Sequence, residues 1–224
     1  MDLFVRPNGS QVVRFFDDFL NANSPVTGSI HSDQWWNETQ MSIGEESGGD
    51  NPGTLSNNSA ALVDLRTRRR YASISNGTYT TAWLSKIETL SNGTNRYECR
   101  LGMLGINGAP GSAVPSDAIY FSYRDDVNTG QWVLNSVAAS TASTTNTSTA
   151  ATTSGYHKFH FDATASNLIT FYIDHTSVGT ITTNIPTANM KPFFQLVQIA
   201  GTLAATSVRV DYCSFQHNLT THRK

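Results

Sequence analysis

The sequence predicts an all-β protein, and three observations carry that expectation. Apolar and polar residues alternate with a period of two in run after run, as half-buried strands require. Charged residues make up only 14% of the 224-residue chain, against about 25% in an average globular protein. Their place is taken by Ser, Thr, Asn and Gly, which suit sheet surfaces and turns better than helices. A chain of this length can bury roughly 70% of its unfolded surface, so it needs neither disulfide nor metal to hold one core.

Taken in order, residues 1–10 hold Pro7, Asn8 and Gly9 and read as a short amino-terminal arm. Gln11–Leu20 is the first strand expected. Residues 21–60 are rich in turn formers, interrupted by the run Gln34–Thr39 with its Trp35-Trp36 pair. Alternation then predicts strands over Ala61–Arg70, Tyr79–Leu90 and Arg96–Leu104, with Asn92-Gly93 as a hairpin turn between the last two. In the last of these Tyr97, Cys99, Leu101 and Met103 share one face. Further strands are expected at Ala118–Tyr123, Gln131–Ser136, Tyr156–Asp162, Leu168–Asp174, Val178–Thr182, Phe193–Ile199 and Val208–Phe215. About eleven or twelve short strands without βαβ alternation or internal repeat point to a sandwich or barrel. Residues 138–155 contain only Ala, Ser, Thr, Asn and Gly, and are either an extended ribbon or a long loop.

Net charge is −2, which predicts neither nucleic-acid nor membrane attraction. The amino terminus lacks the basic start and apolar run of a secretory signal. No window approaches 18 uninterrupted apolar residues. Cys99 and Cys213 each sit in an alternating run and are expected as buried free thiols rather than a disulfide or a zinc site.

Catalytic patterns are absent from the sequence. A glycosidase on a sheet needs two carboxylates roughly 5 Å apart for retention, which on one strand means acidic residues at i and i+2 or i+4. The acidic doublets Asp17-Asp18, Glu45-Glu46 and Asp125-Asp126 place neighbours on opposite faces. There is no Gly-x-Ser-x-Gly elbow. His157 and His160, three apart on one strand, face opposite ways and cannot share a metal. No cofactor is expected, and no metal ligand set. Asp125, Asp126 and Asn128 in "YRDDVNTGQW" offer hard oxygens, but an ordinary turn uses the same residues.

The residues left as candidates for a partner or glycan contact are therefore few. One of Trp35 and Trp36 must face outward if both lie on a strand. Arg66, Arg68 and Arg70 share a strand face that must meet solvent or an acidic partner. Asp125, Asp126 and Asn128 complete the set. Trp83 and Trp132 sit in apolar alternation and are expected in the core.

Several motifs together resemble a known family. They are the aromatic-acidic opening strand (Phe15–Phe19), the Trp pair, "AIYFSYRDDVNTGQWVLNS", the hairpin "FYIDHTSVGT" and a closing edge strand "VRVDY". Over about residues 11–216 the chain resembles the concanavalin A-like jelly-roll β-sandwich of two antiparallel sheets, in the version found in bacteriophage structural proteins. The resemblance implies an arm (1–10), a sandwich (11–216) and a tail (217–224). It implies a non-enzymatic virion protein, made in the host cytoplasm. The first expectation is a capsid decoration (cement) protein, homotrimeric and bound to the major capsid protein. The alternative is a tail-fibre or receptor-binding module that reads a surface glycan as a lectin does. A glycoside hydrolase or lyase ranks below both.

Overall fold

The computed structural model describes residues 2–5, 11–17, 35–37, 41–44, 54–57, 62–67, 73–105, 114–164, 167–204 and 207–220. Among them there is no α-helix, only two short 3-10 turns at Ile74–Asn76 and Asn128–Gly130. Sixteen strands follow in chain order: β1 (Asp2–Val5), β2 (Gln11–Asp17), β3 (Trp35–Asn37), β4 (Met41–Gly44), β5 (Thr54–Asn57), β6 (Leu62–Thr67), β7 (Gly77–Ile87) and β8 (Arg96–Leu104). The second half adds β9 (Ala118–Tyr123), β10 (Gln131–Ala138), β11 (Thr141–Ala150), β12 (His157–Ala163), β13 (Ile169–Ile173), β14 (Thr176–Ile181), β15 (Lys191–Ala200) and β16 (Val208–Leu219).

They form two antiparallel sheets. The first has the order β1-β2-β16-β7-β12-β13-β14, with β5 joined to the start of β16 and β4 to β5. The second runs β11-β10-β9-β8-β15-β6-β3. The chain passes repeatedly between the sheets, from β7 to β8, from β11 to β12, and out to β15 and back to β16. This is the two-sheet jelly-roll sandwich that the alternation predicts.

The core is the space between the sheets. Tyr79, Trp83, Phe159, Phe161, Phe171 and Phe215 come from the first sheet, and Leu101, Phe121, Trp132 and Phe194 from the second. Aromatic contacts bridge the gap: Phe121 meets Phe171 edge-on at 5.1 Å and Phe159 at 5.4 Å. Trp132 lies 4.5 Å from Phe159, and Trp83 lies 6.5 Å from Phe194. Trp83 and Trp132 are both buried, as the sequence predicts. So are the thiols of Cys99 and Cys213, which are free; burial pushes that of Cys99 far above its ordinary range.

Three local expectations change, and one open alternative is decided. Of the expected arm, Asp2–Val5 hydrogen-bonds along β2 as strand β1. The last strand is no edge: β16 lies between β2 and β7, bonded on both sides, and it continues through His217–Leu219, which the sequence assigns to a tail. The expected turn at Asn92-Gly93 joins strands of different sheets, so β7 and β8 form no hairpin. Asn92 instead uses its side-chain Oδ1 to accept from the backbone N–H groups of Thr94 and Asn95, both at 2.9 Å, a local bend that needs no strand pairing. Residues 138–155 take the ribbon alternative, as β11 paired with β10.

The hairpin "FYIDHTSVGT" is as expected. Asp174 and His175 both have positive φ (50° and 66°), the type I′ geometry that suits the twist of paired strands. Asp174 fastens it: one carboxylate oxygen accepts from the Lys158 N–H at 2.8 Å, and the other lies 2.6 Å from His157 Nδ1.

Candidate functional site

The outer face of the seven-stranded sheet carries the candidate site. Strand alternation turns Leu101, Phe121 and Leu134 inward, so their neighbours must face out. The strand registers line these neighbours up in rows. Arg100, Ser122, Val133 and Asn146 form one row, and Gly102, Tyr120, Asn135 and Thr144 the next. Glu98, Val114, Arg124 and Val127 complete the lining of a cleft of about 360 Å³, within the usual size of a small-ligand site.

Gly102 permits this floor. Its φ is +158°, and a Cβ there would lie 2.2 Å from the Ile119 carbonyl oxygen and 2.7 Å from the Tyr120 Cα. Only glycine lets β8 approach β9 so closely.

The charges at the cleft are paired. Arg100, almost wholly buried, makes a two-pronged contact with Glu98, Nε to one oxygen and Nη2 to the other, each 2.9 Å. Burial opposes the Arg100 charge, but its bonds to Glu98 prevail and hold the guanidinium protonated. Arg124 pairs with Asp126. The neutral groups are the ones left over. Asn135 donates through its amide to Ser122 Oγ at 2.9 Å, and its Oδ1 has no partner among the described residues. The same holds for the side chains of Thr144 and Asn146, both exposed, and for the Tyr120 hydroxyl. Burial raises the Tyr120 phenol to about 12, against a smaller lowering by Arg100, so it stays a neutral donor and acceptor. Its ring is fixed edge-on to Phe193, 6.0 Å between centroids.

The residues proposed from sequence divide into two groups. Asp125, Asp126 and Asn128 occupy the β9–β10 connection, at the rim of the cleft. Their polar atoms serve the fold. Asp125 receives Arg96 Nε at 3.0 Å and Nη2 at 3.1 Å, and the Ser91 hydroxyl at 2.6 Å. Arg96 Nη1 also lies 3.3 Å from Asp126. The Asn128 amide donates to the carbonyls of Trp132 and Thr147.

The second group lies at the far edge of the same sheet. Register places Trp36 opposite Arg66 and Trp35 opposite Thr67, with β15 between this strand pair and the cleft. Arg66 is no solvated cation: its side chain is 11% exposed and lies 3.5 Å from buried Asp64. Arg68 and Arg70 lie outside the described residues. The residues that line the cleft (Glu98, Arg100, Tyr120, Asn135 and Asn146) are not among those the sequence singled out. A signal was there: "YECRLGML" alternates opposite charges at Glu98 and Arg100 opposite an apolar face, which marks a polar outer face on a central strand.

The Arg96 and Ser91 bonds give the rim a pH dependence. The Asp125 carboxyl is held below its ordinary range, first by Arg96, against desolvation, and then by Ser91. A carboxyl depressed in the folded state stabilises above its unfolded pKa of about 4. That stability is lost as pH falls through the folded value. Asp125→Asn is therefore expected to be less stable than the parent at pH 7, with the difference shrinking as pH falls below about 4. Urea unfolding across that range checks it; a difference independent of pH contradicts it.

Among known proteins, residues 51–211 match the family described as SO2946-like, C-terminal domain. No curated protein matches the chain by sequence. Similar solved structures include SO2946 from Shewanella oneidensis MR-1, a protein of unknown function, at 17% identity and TM-score 0.64, covering 96% of this chain and 90% of that one. The potassium-bound Emp46p carbohydrate recognition domain is 8% identical with TM-score 0.63, covering 89% and 94%. A Bacillus licheniformis β-glucanase is 16% identical with TM-score 0.53, covering 93% and 98%. These likenesses establish the concanavalin A-like jelly-roll fold.

Proposed function

We propose that this chain, which belongs to the family of SO2946-like C-terminal domains, is a lectin-like module that binds a neutral glycan in the cleft of its seven-stranded sheet. One observation carries the reading. Four neutral hydrogen-bonding groups, on Tyr120, Asn135, Thr144 and Asn146, converge on one cleft, while its charged side chains are already paired. A ligand dense in hydroxyls and without charge meets that set best, since each hydroxyl both donates and accepts. Val114 and Val133 supply an apolar wall for the C–H face of a sugar ring. That a carbohydrate recognition domain and a β-glucanase share the fold supports a sugar as the ligand class.

Binding without turnover is part of the proposal. Hydrolysis needs a second carboxylate about 5–10 Å from the first. Among the described residues lining the cleft Glu98 is the only carboxylate, and Arg100 occupies both its oxygens. The capsid-decorating reading, with its homotrimer and its virion location, draws no support from the similar proteins.

The test is a glycan array followed by calorimetry on the best neutral oligosaccharide. Tyr120→Phe and Asn146→Ala each remove one hydrogen-bonding group and are expected to weaken binding about 5- to 10-fold. Trp36→Ala is expected to leave it unchanged. Affinity lost on Trp36→Ala and kept in both cleft variants would move the site to the β3 edge and overturn the reading.

A further inference from the structure

The seven-stranded sheet ends on an edge that natural proteins rarely leave open. An edge strand exposes unpaired main-chain donors and acceptors, and is usually shielded by shortness, charge, proline or a bulge. The other sheet ends seen here follow that rule. β1 and β4 have four residues each and β3 has three, and β14 is kinked by a register shift against β13. β11 differs in length and chemistry: it has ten residues, no charge and no proline, and although its register with β10 shifts between Gln131 and Val133, the pairing is regular from Thr141 to Asn146.

Its geometry follows from the turn. Ala139 and Ser140 both have positive φ (48° and 67°), a two-residue type I′ loop that makes Ala138 and Thr141 a hydrogen-bonded pair. By alternation Thr141, Ser143 and Thr145 bond inward to β10. Ala142, Thr144 and Asn146 then send their N–H and C=O groups away from the sheet, and their side chains are exposed. The inner face is closed. Ser143 Oγ lies 2.7 Å from Thr183 Oγ1 and accepts from the Asn184 amide at 2.9 Å. On the outer face Ala142, Thr144 and Asn146 are exposed, and among the described residues no further strand pairs with this edge.

We propose that this edge docks β11 of a second copy of the chain, antiparallel, about a two-fold axis at Thr144. Thr144 then faces Thr144 of the partner, and Ala142 faces Asn146 in both directions. The match is self-complementary, as a two-fold contact requires. All three residues are small and neutral, so two copies meet without repulsion, and the edge has no charge that would select a charged partner. A two-fold that pairs antiparallel strands stands perpendicular to the sheet. The outer faces of both copies therefore point the same way, and two clefts, each bordered by Thr144 and Asn146, open side by side. Two linked sites gain avidity for a repeating polymer with no new contact. The dimer itself does not depend on what the clefts bind.

Main-chain pairing over so short a stretch makes a small interface, below the about 1,200 Å² of a stable complex, so the dimer is expected to dissociate in the micromolar range. Sedimentation velocity of the whole chain over rising concentration should show monomer giving way to dimer. Ala142→Lys lies outside the cleft and should abolish the dimer while leaving the melting temperature unchanged. Thr144→Cys should cross-link under mild oxidation, since paired residues in this register bring their Cα atoms about 5.5 Å apart; Thr176→Cys, exposed on β14, should not. A chain monomeric at all concentrations overturns the proposal and leaves the edge to a strand from another protein. A dimer that survives Ala142→Lys, or a Thr176→Cys that cross-links as readily as Thr144→Cys, also overturns it.

Discussion

Phe121→Ala is expected to destabilise the protein by about 3–5 kcal/mol, the range for removing a buried phenylalanine ring. Phe121 projects from β9 across the gap between the sheets, is 1% exposed, and touches Phe159 and Phe171 on the facing sheet. The cost depends on whether the hole can close. Here it cannot close easily. β9 is bonded to both β8 and β10, and β12 to both β7 and β13, so both walls are fixed by strand ladders. Urea denaturation measures the loss, and Phe121→Leu, which refills part of the space, should recover some of it. A loss below about 1 kcal/mol would mean that the sheets collapse onto the cavity, and that this aromatic contact does not hold them apart.

Arg100→Ala is expected to cost nearly as much, for an electrostatic reason. Arg100 is 3% exposed and bonds both oxygens of Glu98. Removing it leaves a carboxylate, 16% exposed, with neither its partner nor full hydration. Breaking a buried ion pair from one side costs about 3–5 kcal/mol, and the remaining exposure of Glu98 puts the value toward the lower end. The double replacement Arg100→Met, Glu98→Gln removes both charges and is expected to be clearly milder than Arg100→Ala alone. If the single and double variants lose equal stability, packing of the Arg100 stem rather than its charge supports the cleft floor.

The two-sheet fold was legible from residue 60 onward because its strands announce themselves by alternation. Arg96–Leu104 and Ala118–Tyr123 fall where the pattern puts them, each with one face of large apolar side chains. The break between β10 and β11 was not legible. Its turn is Ala139-Ser140, without the Asn or Gly that marks such loops, and the bend is held by tertiary bonds instead. Ala139 N–H donates to Asp117 Oδ1 at 3.2 Å, and Ser140 N–H to the Ser116 carbonyl at 2.8 Å. Asn92-Gly93 is the converse case. A strong local hairpin signal was overridden because β7 and β8 bury their apolar faces from opposite sides of one core.

The cleft was hidden for a related reason. Composition drew attention to tryptophans, an arginine run and acidic doublets, which are conspicuous along the chain. The cleft residues are ordinary in type and come singly or in pairs from β8, β9, β10 and β11. Only the register that sets Tyr120 beside Asn135, and Asn135 beside Thr144, brings them together. Sequence spacing carries no record of that lateral pairing.

The central claim is that this cleft is where a neutral glycan binds, and the most direct measurement is a backbone amide NMR titration with the best neutral oligosaccharide from the array. Shifts confined to residues 98–102, 120–124, 133–135 and 144–146, saturating with a single affinity, are the result expected. Shifts clustered instead around His160, Tyr172 and His175 on the other sheet, or no saturable change with any neutral sugar, would contradict it.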